Sequence, residues 1–308
     1  ETGGGPRARS AEARDRVARP MIRILGAGAW GTALAVALGS GDGAADVELV
    51  SRTREGAEEL RRDHVNRRRL AGVALPEALR HASLDARLAP LGADDLLVAA
   101  VPSESIAEVL AAHPAGEATL VIASKGLDAS GRRPSQSAAA AGVAASRTVV
   151  LSGPNLAHEL ARGLPAAAVL AGPEPRRAGA QAALARPNLR LYPSDDLIGV
   201  EICGALKNVV AIAVSAVRTL GYGENASAAL LARGVAEMAR LAEACGGRSE
   251  SAFGLAGVGD LVLTASNTGS RNARLGELLA RGTNLSEAVA TIGATIEGIT
   301  TAHGALEL

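Results

Sequence analysis

A short apolar run, Met21–Leu25, passes into Gly26-Ala27-Gly28-Ala29-Trp30-Gly31 and then into Thr32–Leu38, a stretch rich in helix formers. That order dictates strand, tight turn, helix. Gly26 permits the turn, Gly28 lets backbone approach a ligand with no Cβ in the way, and Gly31 lets the helix lie close to the strand. The free N–H groups at the helix start then face an anion, as a dinucleotide pyrophosphate requires. Glycine turns are common in an Ala/Gly-rich chain, so the motif alone leaves a purely structural turn open; the flanking strand and helix favour nucleotide binding.

Beyond the turn, β-branched runs alternate with helical stretches. Strands are expected at Met21–Leu25, Val47–Ser51, Leu96–Val101, Thr119–Ala123, Thr148–Leu151, Ala166–Ala171 and Leu189–Tyr192. Such alternation builds βαβ units and a mostly parallel sheet covered on both faces, an α/β doubly wound, Rossmann-like domain. After Ser194 the strands stop. Helices are expected near Asp195–Arg218, with Asp195 as N-cap, and near Asn225–Cys245, Arg271–Arg281 and Ser286–Ile292. The division is a leader over 1–20, a nucleotide-binding domain over 21–194 and an all-helical domain over 195–308. The leader is Arg- and Gly-rich without an apolar core, which excludes a secretory signal, leaves a transit peptide open because arginine exceeds acid, and favours a disordered segment.

Lys plus Arg and Asp plus Glu balance at 32 each, and no basic block stands beside aromatic residues, which argues against a nucleic-acid partner. Apolar stretches such as Val209–Val217 are too short for a membrane span, so a soluble protein without stable membrane insertion is expected. Cys203 and Cys245 read as buried free thiols. His158-Glu159 continues to Arg162, which is not a zinc-protease pattern, and no metal site is visible.

The end of the second strand of a Rossmann unit faces the adenosine ribose. Here it carries Ser51-Arg52-Thr53-Arg54. Arg52 and Arg54 suit a 2′-phosphate and favour NADP(H), while Ser51 and Thr53 accept either ribose and leave NAD(H) open. Arginines of a solvated loop are the alternative. Other strand ends carry Val101-Pro102-Ser103, Ser124-Lys125-Gly126-Leu127 and Ser152-Gly153-Pro154-Asn155, and Lys125 stands where a cation can meet a phosphate or a polarised oxygen, an ordinary surface lysine being the equal alternative.

In the helical half, Gly204-Ala205-Leu206-Lys207-Asn208 sets a lysine amid apolar helix. Gly204 and Ala211 share its face, small enough to leave room for a substrate. Burial lowers a lysine pKa toward a useful range. Asp260, in Gly257-Val258-Gly259-Asp260, reads either as an N-cap or as the partner that orients Lys207. Ser270-Arg271-Asn272 precedes a helix, so hydroxyl, guanidinium, amide and helix terminus can converge on a dianion.

Taken in order, G-A-G-A-W-G-T-A-L-A, V-P-S, S-K-G-L, S-G-P-N, G-A-L-K-N-V, G-x-G-D-L-V-L-T, S-R-N and I-E-G resemble the bacterial NAD(P)-dependent glycerol-3-phosphate dehydrogenases from about Met21 to Thr300. The resemblance implies a helical domain like the C-terminal part of 6-phosphogluconate dehydrogenase. It also implies reversible reduction of dihydroxyacetone phosphate to sn-glycerol 3-phosphate for phospholipid synthesis, and a homodimer. By the same resemblance Lys207 is the acid/base, Asp260 holds it, Lys125 contacts substrate, and Gly153 and Asn155 line the pocket. Ser270, Arg271 and Asn272 then take the phosphate. Gly26, Gly28, Ala29, Trp30, Gly31, Arg52, Lys125, Ala157, Arg271, Thr295 and Glu297 match cofactor-contacting positions. Asn155 and His158 stand where bacterial members usually carry Ser or Thr and Lys, which implies a retuned site. The family normally continues some tens of residues past the I-E-G segment, so part of the helical core is expected to be exposed. A nucleotide-binding module without turnover, or a dehydrogenase of another small hydroxy acid, are the competing readings.

Overall fold

The computed structural model describes residues 20–41, 43–267 and 269–308; the leader expected over 1–20 lies almost wholly outside the described residues. Eight strands form one sheet: β1 (Met21–Leu25), β2 (Asp46–Ser51), β3 (Arg80–Ser83), β4 (Leu96–Ala99), β5 (Thr119–Ile122), β6 (Thr148–Ser152), β7 (Ala166–Ala171) and β8 (Leu189–Ser194). Their order is β3-β2-β1-β4-β5-β6-β7-β8. Every pairing is parallel except β6 with β7, so β7 and β8 run against the other six. The seven expected strands form, and β3 is an addition.

The core follows the two-residue strand period. Val121, Val149 and Leu151 point to one face, packing with Leu34 and Leu38; Leu120, Ile122 and Val150 point to the other, with Ile106 and Leu110. Those cover residues come from α1 (Ala29–Gly39) on the first face and, on the second, α3 (Ile106–Ala112). Between them in the chain lies α2 (Arg54–Asp63); α4 (Pro134–Ala140), α5 (Ala157–Ala161) and α6 (Arg176–Leu184) complete the sheet-associated helices. One charged pair is buried within the sheet. Arg23 and Glu48 are register partners on β1 and β2, and their side chains close an ion pair.

Residues after Ser194 are helical, as expected: α7 (Leu197–Thr219), α8 (Gly223–Ala244), α9 (Glu250–Phe253), α10 (Asp260–Ser266), α11 (Arg271–Ala280), α12 (Leu285–Ile292) and α13 (Glu297–Gly304). A π-helical turn, Leu255–Gly259, leads into α10. The N-cap of α7 is Asp196 rather than Asp195. Asp196 accepts from Gly199 N at 2.9 Å and also ties down Arg248 N and Ser251 Oγ, whereas Asp195 points outward to pair with Arg248. With aromatics only 1% of the chain, helices approach through small residues. A Cβ on Gly276 of α11 would stand 2.1 Å from Ile212 O of α7, so the two backbones touch where that side chain is missing.

Because β8 is reversed, its last residue, Ser194, lies beside Ala171 at the edge of the sheet where β6 begins. The first turn of α7 starts from that far edge and the helix runs back over β6. At its eighth residue, Gly204, it has reached Ser152 at the carboxyl end of β6. This helix is long and apolar enough to cross a membrane by length and composition, beyond what its Val209–Val217 stretch suggests, but 67% of its most apolar window is buried in the fold. Cys203 is buried and Cys245 half-buried, and both are free.

Candidate active site

Strand order reverses at β1, whose neighbours β2 and β4 leave in opposite directions, and ligands of open parallel sheets sit beyond the carboxyl ends at such a point. The glycine turn stands there. Gly26 N donates to Val50 O at 2.9 Å, and Gly26 has φ +108°, with its absent Cβ only 2.5 Å from Ala100 O. A Cβ on Gly31 would stand 2.0 Å from Gly26 O. Gly28 caps α1 with no side-chain bond, no acidic residue follows in the first turn, and nothing lies within 4 Å of where its Cβ would be. The turn therefore presents free N–H groups to open space, and the buried Trp30 Nε1 beside it has no partner in the described residues. These features fit a dinucleotide pyrophosphate. Asn66, which sequence reasoning missed, clamps the turn: its Nδ2 donates to Ala27 O at 3.0 Å and to Thr32 Oγ1 at 2.8 Å.

At the end of β2, Arg52 is exposed and Thr53 caps α2 by accepting from Gly56 N at 3.2 Å. Two strands, β1 and β4, separate this end of the crevice from β5 and the lysine that follows it.

Lys125, three residues past the end of β5, donates from Nζ to Gly153 O and to Asp260 Oδ2, each at 2.7 Å. Lys207, from the middle of α7, donates to Asp260 Oδ1 at 3.1 Å and to Thr264 Oγ1 at 2.8 Å. One carboxylate thus holds two ammonium groups. Thr264 lies one helical turn after Asp260 and donates back to Asp260 O at 2.7 Å, so its lone pairs face Lys207. The sequence pointed to the pairing of Asp260 with Lys207 but not to Lys125 on the same carboxylate, nor to Thr264, which the motif contained without a role. Lys207 is 6% exposed and Asp260 3%. Burial pushes the Lys207 pKa down; the Asp260 charge opposes this and the Lys125 charge adds to it. Burial would raise Asp260, but the charges of Lys125 and then Lys207, with their hydrogen bonds, outweigh it and hold the carboxyl below its usual range.

Gly204 does not leave room for a substrate. Its missing Cβ would stand 2.7 Å from Ser152 Oγ, so its smallness lets α7 rest on β6, and Ala211 is wholly buried.

Asn208, next to the lysine, donates from Nδ2 to Lys125 O at 3.1 Å and accepts on Oδ1 from Asn272 Nδ2 at 2.8 Å. Asn272 Oδ1 in turn accepts from Gly298 N at 3.2 Å. This relay joins β5, α7, α11 and α13, and it employs the Asn272 amide that the sequence pointed toward a phosphate. Ser270 caps α11, accepting from Ala273 N at 3.3 Å, and the exposed Arg271 donates to Thr295 O. Glu297, half-buried at the start of α13, has its pKa raised by burial against the opposing charges of Arg271, Lys207 and Lys125. Three cations therefore face two carboxylates around one cleft. A pocket of about 220 Å³ that shares Glu297 with this cluster is lined also by Pro102, Ser103, Glu104, Gly126 and Thr295. Ala157 opens α5 beside it in sequence, and Asn155 donates from Nδ2 to Pro154 O and Ala167 O at 2.9 Å while its buried Oδ1 has no partner in the described residues. A larger groove of about 1100 Å³, between Thr148, Gly172 and Leu197, opens at the opposite edge of the sheet.

The family model for the N-terminus of NAD-dependent glycerol-3-phosphate dehydrogenase matches residues 21–178, and that for the C-terminus of the same enzyme matches 196–308. The chain belongs to this family. Among its curated relatives, the glycerol-3-phosphate dehydrogenase (NAD(P)+) of Erythrobacter litoralis is 42% identical over 288 residues, covering 93% of this chain and 86% of the relative. That of Deinococcus radiodurans is 44% identical over 282 residues, covering 91% and 83%. The crystal structure of glycerol-3-phosphate dehydrogenase from Coxiella burnetii superposes with a TM-score of 0.85 at 38% identity, covering 94% of this chain and 88% of that one. As a glycerol-3-phosphate dehydrogenase family member the chain is an NAD(P)-using oxidoreductase, and its Rossmann-like and helical halves are those of its relatives.

Proposed function

We propose that this chain reversibly reduces dihydroxyacetone phosphate to sn-glycerol 3-phosphate, supplying phospholipid synthesis, with Lys207 as acid/base. The observation that carries this reading is the arrangement of donors on the two lysines. An ammonium has three N–H bonds. Two of Lys207 go to Asp260 and Thr264, two of Lys125 to Gly153 and Asp260, and each lysine keeps one for a substrate oxygen. A dinucleotide held by its pyrophosphate at the glycine turn would supply or accept the hydride through its nicotinamide. Lys207 donates its remaining proton to the ketone oxygen as that oxygen gains charge, becomes the neutral amine, and takes the proton back from the alcohol in reverse. Burial brings its pKa down toward the working range, and Asp260 with Thr264 fixes its direction. Lys125 polarises the same oxygen or its neighbour. Asn155 Oδ1 offers an acceptor to a substrate hydroxyl, and Arg271 and Ser270 beside the α11 N-terminus receive the phosphate, while Asn272 holds that terminus in place through Asn208 and Gly298.

Arg52 and Arg54 at the end of β2 support a preference for NADPH over NADH. Gly26, Gly28, Ala29, Trp30 and Gly31 would hold the pyrophosphate, with Ala157, Thr295 and Glu297 further along the cofactor. We assign 21–194 and 195–308 as the working domains of a cytoplasmic homodimer; exposed Tyr222, Phe253 and Val262 offer apolar surface to a second copy. The test is absorbance at the reduced-nicotinamide band when dihydroxyacetone phosphate is added to purified protein with each cofactor. Turnover with NADPH exceeding that with NADH is expected. Cofactor binding without any ketone-dependent oxidation would favour a non-catalytic module instead.

A further inference from the structure

The end of β2 holds an acidic group that the cofactor reading leaves without a role. In the β2–β3 register Ser51 lies opposite Ser83, and Leu84 N donates to Ser51 O at 2.9 Å, which fixes the chain after β3 against the start of α2. Asp85 follows at once. The Ser83 hydroxyl, the Arg54 backbone N–H and the Arg54 charge all act on its carboxylate. Arg54 is the first residue of α2, a ten-residue helix, so an internal carboxylate occupies the anion-seeking end of that helix. No ion pair closes on the Arg52 or Arg54 guanidinium among the described residues. Ser51, 4% exposed, has an Oγ without a partner there, 3.8 Å from where a Cβ of Gly56 in the first turn of α2 would be. This end of the crevice thus sets two exposed arginines and a buried hydroxyl without a partner among the described residues beside one exposed negative charge.

Resting on the reading that the glycine turn holds a dinucleotide, we infer that Asp85 is a specificity-determining residue that limits how strongly this end of the crevice prefers a 2′-phosphate over a 2′-hydroxyl. The two arginines attract the phosphate. Asp85 repels it, and competes for the α2 N-terminus, while leaving an unphosphorylated ribose undisturbed. The strength of the NADPH preference is then set by three side chains rather than by the two arginines alone.

The experiment compares the unsubstituted protein with Asp85→Asn and Asp85→Ala, using fluorescence titration with NADPH and NADH and competition by 2′,5′-ADP and 5′-AMP. Asp85→Asn, which keeps an acceptor oxygen for Ser83, is expected to tighten NADPH and 2′,5′-ADP about fivefold, the effect of removing one like charge near the surface. NADH and 5′-AMP should stay within about twofold, and the gain should shrink at about 0.5 M salt. Equal changes for both dinucleotides in the two variants would assign Asp85 a purely structural part in the β3 loop and overturn the inference, as would an unchanged or weakened NADPH affinity. If the unsubstituted protein bound neither dinucleotide, the cofactor reading would fall and the role of Asp85 with it; binding of both at an unaltered ratio in the variants overturns the role of Asp85 only.

Discussion

Lys207 and Lys125 share one carboxylate, so substituting either lysine changes the other. Lys207→Ala removes the proposed proton donor while leaving the glycine turn intact, and kcat should fall by about 10²–10⁴ with NADPH binding retained in a fluorescence titration. Lys125→Met removes a like charge that depresses the Lys207 pKa. Ketone reduction needs Lys207 protonated, so the alkaline limb of the kcat profile should move to higher pH in this variant, alongside a lower rate. An alkaline limb that stays in place would show that some other group titrates there. For Asp260 the sign is the opposite one. Its folded pKa lies below the unfolded value, so it contributes stability above the ordinary carboxylate range and loses it as pH falls through the depressed value. Urea midpoints measured down that range should decline less steeply for Asp260→Asn than for the unsubstituted protein.

At the scale of elements, the glycine turn is where backbone geometry and function coincide. A Gly31→Ala side chain would meet Gly26 O at 2.0 Å, so α1 must shift away from β1. Dinucleotide affinity is expected to drop at least about tenfold, an effect of a misplaced helix terminus read by the same titration. The turn itself was legible because its signal is contiguous. Strand β3 was not: Arg80-His81-Ala82-Ser83 has no β-branched or aromatic residue, and it is a strand because β2 offers it a ladder. Nor was α13, whose Gly298, Ile299 and Thr300 are poor helix formers; it is held by packing on α7 and by the Asn272 bond to Gly298 N. Among site residues, Lys207 and Asp260 could be read from a charge amid apolar sequence. Asn66 could not, since its partner Thr32 is 34 positions away and nothing local marks an arginine-rich stretch as a clamp for a distant turn.

At the scale of the whole molecule, the bonds of Lys125 to Asp260 and Asn208 and of Leu127 N to Thr301 Oγ1 tie the helical half to the sheet half at the crevice, and another buried tie joins them at the far edge of the sheet. Glu201 of α7, with a side chain 1% exposed, accepts from Ser135 N, Ser135 Oγ and Arg133 Nη1 at the start of α4. Burial raises its pKa against those partners. Glu201→Ala would leave the Arg133 guanidinium buried and unpaired, and should cost about 3–5 kcal/mol in urea unfolding. If the two halves unfold as one unit the transition stays single; a second transition would show that this tie couples them. The reversed pair β7 and β8 makes α7 a measuring rod. Twenty-three residues at 1.5 Å each give about 34 Å, and the lysine is fixed at the eleventh, where the rod has crossed from the far edge to the crevice. One residue inserted between Asp196 and Gly204 would turn Lys207 about 100° away from Asp260, while a full extra turn would restore its direction and carry it about 5.4 Å past the carboxylate. Surface loops as a class tolerate changes of length; that first third of α7 is a gauge, set by the distance from the far edge of the sheet to the Asp260 carboxylate.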